Sequence, residues 1–398
     1  MQEYIVTDYG VKTDSLEYQT EEIQKVIDLC KENGGKVILP NGEYYISSLR
    51  LWSNTTLYLE SGAKLIGSEE VDDYIVFDFP EGVESRNDKD YFLEFTTPKS
   101  ENEYYNNYRR AMISAYGEEN IAVIGEENTV IDGRDCYDEN GEEGFRGPHG
   151  IYITNCKNVT FEGYTIQNTG SFMHQTDNCE NVFFKNITGL AGHDGTHMHF
   201  CKNVLIENCK FITGDDCIAG ANMRNITVRN CEFNTACQIF RVGGNNIKVE
   251  DCYMYGPGYY PHRVSIVKGK NDYLPREAGR HNAICAFIYF AGERFPADIP
   301  HDLTIKNCKI ENIDSFLYYD PDFVDSPVCC NYQKGGFLKE INIENVEVSG
   351  LVRSSVCNGN EKNPLTVNVK NLKYSFNENS DGKEIFGEKK NVTVNFEN

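Results

Sequence analysis

The chain has few basic residues and no long hydrophobic run, and both absences limit what it can do. Its 398 residues include 38 lysines and arginines against 61 aspartates and glutamates, which gives a formal net charge of −23. We expect no nucleic-acid partner and no anionic membrane surface as a partner, because both would repel such a chain. No run approaches the roughly 18 apolar residues of a membrane-spanning helix, so we expect no membrane segment.

A basic and apolar leader is also missing from the opening residues Met1–Tyr4. The 15 cysteines are an odd number, and many cysteines without a signal peptide predict reduced thiols and a cytoplasmic protein. A chain from which a leader had been removed would be secreted instead. No cysteine spacing resembles that of a zinc pair, so the sequence predicts no metal and no cofactor.

What the sequence has instead is a repeat of about 22 residues. Short β-rich runs begin at spacings of 23, 22, 22 and 21, with Asn158, Asn181, Asn203, Asn225 and Asn246. Runs of this kind at this period are typical of a parallel β-helix, in which each repeat forms one coil. Because coils add one at a time, we predict an all-β solenoid that forms a single domain over residues 1–398.

Two kinds of residue recur at fixed places in this repeat, and each has a structural role. Stacked asparagines at a bend can link their side chains in a ladder. Cysteines recur as Cys156, Cys179 and Cys201, and a small apolar cysteine suits a narrow interior row. Both columns are therefore predicted to hold the coils in register.

Three segments stand outside the repeat. A helix is predicted near residues 20–33, with Thr20 as its N-cap, and it would cover the open N-terminal edge of the coils. Residues 70–112 and 253–300 are predicted as loop excursions, which in a solenoid usually share one binding face.

Two carboxylate clusters lie one repeat apart. Asp194 and Asp216 are separated by 22 residues, and Asp215 precedes Asp216 directly. Residues one coil apart stack on neighbouring strands, roughly 4.8 Å from each other. Three carboxylates in one patch are the usual equipment for cleaving a glycosidic bond. The alternative is that these residues only cap turns, as Asx side chains often do.

The alternation of side chains along a strand predicts which neighbours face a substrate. Thr196, Met198 and Phe200 would point into the core, so His197 and His199 would point outward. One or two coils further on, Gln238 falls in the row of Asp194 and Asp216, and Arg241 in the row of His197. The predicted substrate-binding residues are His193, His197, His199, Gln238, Arg241 and, from the basic second excursion, His262 and Arg263.

The histidines have a second reading, since alternate residues of one strand could bind a metal. We expect substrate contact instead, and the remaining alternative is that the histidines are ordinary exposed residues. Arg241 would then hold an anionic group or a hydroxyl group of that substrate.

The N-terminal third and the carboxylate motifs resemble glycoside hydrolase family 28, the polygalacturonases. The resemblance includes the runs Gly34–Gly42 and Leu57–Ala63 and extends to about residue 252. Its Gly-Asp-Asp motif is intact at Gly214-Asp215-Asp216, whereas Gln238 stands where the family has a histidine. This resemblance implies a right-handed parallel β-helix.

The resemblance also implies a reaction, in which Asp215 protonates the leaving oxygen while Asp194 and Asp216 activate the attacking water. The expected activity is inverting hydrolysis of pectin-derived oligosaccharides or polysaccharides, either galacturonides or rhamnogalacturonan-type, or of related α-linked glycans. Two alternatives remain. In a β-helix polysaccharide lyase, the three aspartates would hold Ca²⁺ and Arg241 would be the base. In a non-catalytic β-helix, the same surface would only bind carbohydrate.

Overall fold

The computed structural model describes residues 1–83, 108–141, 145–260, 282–289, 301–321, 337–387 and 389–397. These residues divide into two compact units, of which unit 1 runs from Met1 to His197 and unit 2 begins at Met198. None of the helices in the described part of the chain is long and apolar enough to cross a membrane. The predicted single domain remains a prediction.

Within its described residues, unit 1 includes the helices α1 (Thr20–Asp28) and α2 (Cys30–Asn33) and the 3₁₀ helices Val6–Tyr9 and Val71–Asp73. Its strands are β1 (Glu3–Ile5), β2 (Ser15–Tyr18), β3 (Gly35–Leu39), β4 (Glu43–Tyr45), β5 (Leu49–Arg50), β6 (Thr55–Leu59), β7 (Lys64–Ile66), β8 (Ala111–Tyr116), β9 (Glu119–Gly125), β10 (Val130–Asp132), β11 (His149–Thr154), β12 (Lys157–Glu162), β13 (Thr165–Gln167), β14 (His174–Asp177), β15 (Glu180–Lys185), β16 (Thr188–Ala191) and β17 (Thr196–His199).

The strands of unit 1 stack in parallel, each on the equivalent strand of the next coil. One interior row passes from β3 through β6, β9 and β12 to β15 in continuous register, as Val37, Leu57, Val123, Phe161 and Phe184. All five side chains are buried, and burying an apolar side chain of this size stabilises the fold by about 1.5–3 kcal/mol. The core of the unit is this interior of the coils.

The predicted N-terminal helix is present, although its details differ. Gln19 and not Thr20 is the N-cap residue, and the helix is interrupted at Leu29 before it ends at Gly34. The prediction of Thr20 as N-cap is wrong because its hydroxyl accepts a hydrogen bond from the Ser47 amide instead (2.9 Å). Gln24 exchanges two hydrogen bonds with the Arg50 backbone, which attach α1 to β5.

Unit 2 is built from strands alone within its described residues. They are β18 (Lys202–Glu207), β19 (Lys210–Thr213), β20 (Ile218–Arg229), β21 (Glu232–Thr235), β22 (Gln238–Glu250), β23 (Tyr253–Tyr255), β24 (Ala283–Tyr289), β25 (His301–Lys306), β26 (Lys309–Glu311), β27 (Ile313–Tyr319), β28 (Leu338–Leu351), β29 (Val356–Cys357), β30 (Leu365–Phe376) and β31 (Val392–Glu397). Its interior row follows the parallel register as Val204, Ile226, Ile247, Leu303, Ile341 and Val367.

The prediction that residues 253–300 form one loop excursion is wrong in part. Ala283–Tyr289 forms β24, which pairs in parallel with β22 and β27. Its alternating sequence buries Ala283, Cys285, Phe287 and Tyr289, as expected for a strand of a coil. The other excursion, 70–112, already includes the first residues of β8, and residues 84–107 of it lie outside the described part.

Asparagines form the bends, as predicted. Asn181 donates a side-chain hydrogen bond to Asn158 in unit 1, and Asn225 donates one to Asn203 in unit 2, each over 2.9 Å. All four residues have a left-handed backbone, with φ between 54° and 58°, which asparagine tolerates better than most residues. The ladder therefore pairs side-chain polar groups at positions where the chain must also turn. The cysteine columns are buried, which confirms their interior position.

Candidate active site

In unit 1, Asp194 is paired with His197. The Asp194 carboxylate accepts a hydrogen bond of 2.7 Å from Nδ1 of His197, and both side chains are buried. Asp194 follows β16 and His197 lies in β17, so the bend between two strands brings them together. The backbone carbonyl of Asp194 is also fixed, because it accepts from the amide of Met173 on the previous coil (3.0 Å).

An aromatic ring holds the other face of His197. Phe172, which precedes β14, stacks on the imidazole with 4.4 Å between ring centroids and 25° between ring planes. The Arg146 guanidinium lies 4.7 Å from the centroid of the same Phe172 ring, a cation–π distance. Packing therefore fixes the orientation of His197 in addition to its bond to Asp194.

Arg146 also fixes His193, the residue before Asp194. Its guanidinium lies 3.1 Å from Nδ1 of His193, and both side chains are buried. Because arginine can only donate, Nδ1 must accept and carries no proton. His193 therefore has its proton on Nε2, which makes it a neutral donor on that side.

Two glycines bring the Arg146 segment against the segment before Phe172. A Cβ at Gly147 would lie 1.9 Å from the Cys136 carbonyl oxygen, and a Cβ at Gly170 would lie 2.2 Å from the same atom. The Gly147 amide donates to the Gly170 carbonyl over 2.8 Å. Any side chain at these positions would push the segments apart and move Arg146 away from Phe172.

Two further buried histidines of unit 1, His149 and His174, lie near the Asp194–His197 pair but do not contact Asp194 in the hydrogen bonds described above. Burial lowers the pKa of His149 to about 3 and that of His174 to about 3, so both are neutral at ordinary pH. His174 shares a hydrogen bond of 2.9 Å with the Tyr164 hydroxyl. Nδ1 of His149 has no hydrogen-bond partner among the described residues.

In unit 2, Asp215 and Asp216 occupy the turn between β19 and β20. Both side chains are only 2% exposed. The backbone carbonyl of Asp215 accepts hydrogen bonds from the hydroxyls of Thr213 (2.7 Å) and Thr235. These two threonines lie at the ends of β19 and β21, so adjacent coils hold the Asp215 backbone in place.

Asp216 has a charged partner and a backbone donor. Its Oδ1 accepts a hydrogen bond of 3.2 Å from the backbone amide of Gln238, and its Oδ2 lies 3.7 Å from Nη1 of Arg241. Both contacts stabilise the ionised carboxylate. Ala219 pairs with Arg241 on the next strand, as the 22-residue spacing predicted. The contact between Asp216 and Gln238 was predicted from the same spacing.

Cys237 completes this cluster. Its Sγ lies 2.8 Å from Oε1 of Gln238, and ligand atoms of Asp215, Asp216 and Cys237 all lie within 4.8 Å of one another. Such a set could hold a divalent cation. The Arg241 guanidinium beside Asp216 opposes that use, because it already supplies positive charge to one of the two carboxylates.

The remaining predicted residues are placed as follows. His199 is buried at the end of β17, and its carbonyl accepts a hydrogen bond from the Cys201 thiol. The prediction that Phe200 points into the core is wrong, since Phe200 follows the strand with a left-handed φ of 55° and is only half-buried. His262 and Arg263 lie outside the described residues.

Arg146, Phe172, Thr213 and Thr235 belong to the site and were missed by the sequence analysis. Arg146 comes from an irregular segment that the 22-residue period does not reach. The threonines carry a signal that could have been read, since they lie 22 residues apart and so stack on neighbouring coils.

Comparison with known proteins finds a family match over part of the chain. Residues 84–253 match the family model for glycosyl hydrolases family 28. Two curated relatives match shorter stretches. The chain is 41% identical over 69 residues to an exo-poly-alpha-D-galacturonosidase of Dickeya chrysanthemi, and 29% identical over 85 residues to an iota-carrageenase of Zobellia galactanivorans. These stretches cover 17% and 21% of this chain but only 11% and 17% of the relatives.

A solved structure matches over nearly the whole chain. The polygalacturonase of Erwinia carotovora ssp. carotovora superimposes with a TM-score of 0.65 and 16% identity, covering 96% of this chain and 95% of its own. The fold is that of the right-handed parallel β-helix proteins, as predicted. The family match over residues 84–253 includes all three candidate catalytic aspartates.

Proposed function

We propose that the protein is an inverting glycoside hydrolase that acts on pectin-derived or related α-linked glycans. The observation that carries the proposal is the buried pair Asp215 and Asp216. Asp216 lies beside Arg241 and accepts from the Gln238 backbone amide, while threonine hydroxyls hold the backbone carbonyl of Asp215. Two neighbouring carboxylates in different surroundings can take different roles, one as acid and one as carboxylate. The matched family segment and the name of the Dickeya relative support a galacturonide-type substrate.

In the proposed reaction, Asp215 is the general acid and gives its proton to the glycosidic oxygen as the bond to the sugar breaks. Asp216, whose ionised form is stabilised by Arg241 and the Gln238 amide, orients and deprotonates water together with Asp194. The resemblance to the family implies that Asp194 shares this task. His197 supports it by fixing the Asp194 carboxylate through a hydrogen bond.

His193, His197, His199, Gln238 and Arg241 are proposed to contact the sugar. Arg241 is the cation best suited to an anionic group, because guanidinium forms two parallel hydrogen bonds with a carboxylate. The net charge of −23 would repel a substrate with a uronate carboxylate, so such a substrate needs a local cation at the site.

The stereochemistry of the product is the decisive measurement. Inverting enzymes separate their two carboxyl groups by about 6.5–9.5 Å to admit water, and retaining enzymes by about 5–5.5 Å. Carboxylate oxygens of Asp215 and Asp216 lie within 4.8 Å of each other, which is closer than the separation typical of an inverting pair. Inversion would therefore support the proposed contribution of Asp194 to the activation of water, whereas retention would make Asp216 a nucleophile.

The test is a release assay on a panel of α-linked oligosaccharides, including galacturonides, with the anomer of the first product read by NMR. Inversion of the first product supports the proposal, and the Asp215→Asn variant serves as the inactive control. Initial retention contradicts the mechanism. Unsaturated products that absorb in the ultraviolet would indicate a lyase, and glycan binding without release would indicate a binding protein.

A further inference from the structure

A shallow cavity of about 570 Å³ opens on the surface of unit 2. Its lining comes from the turns before β19, β21, β23 and β26 and from the first residues of these strands, which pair in parallel in that order. Arg241 lies on another row of strands, where β22 pairs with β20 and β24. A volume of about 300–1,000 Å³ is usual for small-molecule sites, so the cavity has the size of a binding site apart from the candidate active site.

An aromatic ring forms one side of this cavity. Tyr253, the first residue of β23, lines it and is 36% exposed. Tyr255 projects from the same face of the strand, and the two rings stack with 4.8 Å between centroids and 18° between ring planes. Because Tyr255 does not take part in the lining, it supports one face of the Tyr253 ring and leaves the other face toward the cavity.

Hydrogen bonds hold both rings in place. The Tyr253 hydroxyl donates to Oε2 of Glu311 over 2.5 Å, and the Tyr255 hydroxyl donates to Oε1 of Glu232 over 2.9 Å. Each acceptor lies on a strand that pairs with β23. The orientations of the rings are therefore already fixed, and a ligand that binds to them loses less free energy to the ordering of side chains.

The charges around the cavity are balanced, in contrast to the chain as a whole, whose formal net charge is −23. Lys210 is paired with Glu232 and Lys309 with Glu311, each over 2.8 Å. Within the lining itself, these two lysines stand beside two carboxylates, those of Glu232 and Asp251. A neutral ligand or one with a uronate group therefore meets no excess of negative charge in this lining.

Exposed side chains of one column add polar groups to the cavity. Asn208, Asn230, Asp251 and Asn307 occupy the same position in successive turns, each with a left-handed φ between 51° and 54°. Asn307 donates a side-chain hydrogen bond of 3.0 Å to Oδ1 of Asp251. Amides donate and accept, whereas a carboxylate accepts, so the column can bind hydroxyl groups in either role.

This combination of groups matches the two parts of a sugar ring. A pyranose has C–H groups on its faces, which pack on an aromatic ring, and hydroxyl groups around its rim, which need donors and acceptors. Tyrosine suits such a contact because it joins an apolar ring to a polar end. A glycan is therefore the class of ligand that would use both the Tyr253 ring and the polar column.

A tyrosine of unit 1 offers a comparison, because its hydroxyl is bound in the same way but its ring is covered. The Tyr58 hydroxyl donates to Glu126 over 2.6 Å, and the Lys36 ammonium lies over the ring, 3.7 Å from its centroid. The ammonium of Lys309 is 5.4 Å from the centroid of Tyr253. Tyr58 is therefore a matched control for the loss of a tyrosine–glutamate contact.

One strand connects the cavity with the candidate active site. Glu232 at the start of β21 lines the cavity, and the hydroxyl of Thr235 at the end of β21 donates to the backbone carbonyl of Asp215. Three residues of a strand span about 10 Å. A glycan chain that is bound at the cavity is therefore held near Asp215, which raises the effective concentration of its other sugars there.

We propose that the cavity beside Tyr253 is a second glycan-binding site, which holds a polymeric substrate while another part of the same chain is cleaved. This inference rests on the proposed function and adds a binding site to it. The gain belongs to long substrates, because the shortest ones have the least length with which to reach both places.

The first test compares a polymer with the shortest oligosaccharide that the wild-type protein hydrolyses. The polymer is polygalacturonate, or rhamnogalacturonan if only that one is cleaved. Tyr253→Ala should raise KM for the polymer roughly 2- to 10-fold, with kcat unchanged and with no rise in KM for the oligosaccharide. Tyr58→Ala should change neither KM. An equal rise for both substrates, or no rise for the polymer in a folded Tyr253→Ala protein, would overturn the inference.

The second test leaves the cavity unchanged, so it decides the question if Tyr253→Ala does not fold. The Asp215→Asn protein is exposed to hydroxyl radicals with and without saturating polymer, and mass spectrometry measures the oxidation of Tyr253 and of Tyr58. The polymer should protect Tyr253 and leave Tyr58 unchanged. An unprotected Tyr253 would overturn the inference. Protection that increases with protein concentration in the absence of glycan would overturn it too, since it would indicate contact between copies of the chain.

The second site and the proposed function fail in different ways. Hydrolysis of the polymer without protection of Tyr253 refutes the second site and leaves the hydrolase intact. Release from oligosaccharides but from neither polymer also refutes the second site alone. No release from any glycan overturns the proposed function, and the second site with it.

Discussion

The two units hold their candidate catalytic carboxylates by different means. In unit 1, Asp194 is paired with a histidine, and that histidine is stacked on Phe172. In unit 2, Asp216 is paired with Arg241, and hydroxyl groups fix the backbone of its neighbour Asp215. Aromatic and imidazole rings therefore position the carboxylate of unit 1, and hydrogen-bond donors and a guanidinium position the aspartates of unit 2.

The difference matters because the two partners are different kinds of group. Arginine is always charged in proteins, so the positive charge beside Asp216 is permanent. The partner of Asp194 is an imidazole that donates from Nδ1 and stacks on an aromatic ring, so packing fixes the direction of this hydrogen bond.

Replacement of Asp215 and, separately, of Asp194 should give the largest effect and should distinguish the roles of these two carboxylates. Asp215→Asn removes the proposed acid, which should lower kcat by roughly 100- to 10,000-fold on a natural glycan. A nitrophenyl glycoside has a leaving group that needs no proton, so we expect Asp215→Asn to recover most of its loss on that substrate. Steady-state kinetics on both substrates measure the difference.

Asp194→Asn is the matched comparison, because it changes the same atoms in unit 1. It should be impaired on both substrates, since water must still be activated whatever the leaving group. Equal recovery of the two variants on the nitrophenyl glycoside would mean that the acid has been assigned to the wrong residue.

Acid should destabilise unit 1 more than unit 2. Burial lowers the pKa of His149 and of His174 from 6.5 to about 3 in unit 1, and that of His301 to about 4 in unit 2. Each is neutral when folded but protonates on unfolding, so its stabilising effect is complete above about pH 6.5 and is lost as the pH falls toward the folded value. The loss for His174 is on the order of several kcal/mol.

Urea unfolding between pH 7 and pH 4 checks this effect. His174→Gln should flatten the pH dependence of the unfolding free energy, because glutamine does not titrate. His301→Gln is the control from unit 2 and should flatten it less. A pH profile unchanged by His174→Gln would contradict the assignment.

Loss of the cation beside Asp216 should have a smaller effect. Arg241→Gln removes an ion pair that is partly open to solvent, and we expect a cost of about 1 kcal/mol, or roughly fivefold in kcat/KM. Arg241→Lys keeps the positive charge and should recover part of the lost kcat/KM. The idea fails if the lysine variant is as impaired as the glutamine variant while both remain folded.

The asparagine bends should give the smallest effect. Asn225 has a φ of 57° and donates to Asn203, so Asn225→Ala loses both the hydrogen bond and a residue that tolerates this backbone. We expect a loss of about 1–2 kcal/mol in unfolding free energy. Asn225→Gly keeps the backbone permissive and should lose less, as measured by thermal or urea unfolding. Equal losses for alanine and glycine would mean that the backbone conformation contributes nothing.

The repeat made much of this structure predictable. A spacing of 22 residues placed Gln238 beside Asp216 and Arg241 opposite Ala219, because in a β-helix a fixed spacing in sequence becomes contact between coils. The same regularity identified the asparagine ladder and the interior cysteines. Local signals located α1 as well, since its apolar residues share one face.

What the repeat could not predict comes from segments that leave it. Arg146 reaches Phe172 only because Gly147 and Gly170 allow two irregular segments to approach, and no periodic pattern encodes that contact. The strand β24 was mistaken for loop because the sequence on both sides of it departs from the 22-residue repeat. Phe200 was assigned inward by extending the alternation one residue past the end of its strand.

The rows of buried cysteines give the protein an internal set of reporters. Burial raises the pKa of Cys136 in unit 1 to about 12 and that of Cys285 in unit 2 to about 12, so neither thiol reacts while its coil is closed. Cysteines occur coil after coil, for example Cys156 and Cys179 in unit 1 and Cys231 and Cys252 in unit 2. The rate at which each one is alkylated in the native protein therefore measures the opening of its own coil. Mass spectrometry of the alkylated peptides would map local stability along the whole solenoid without any introduced label.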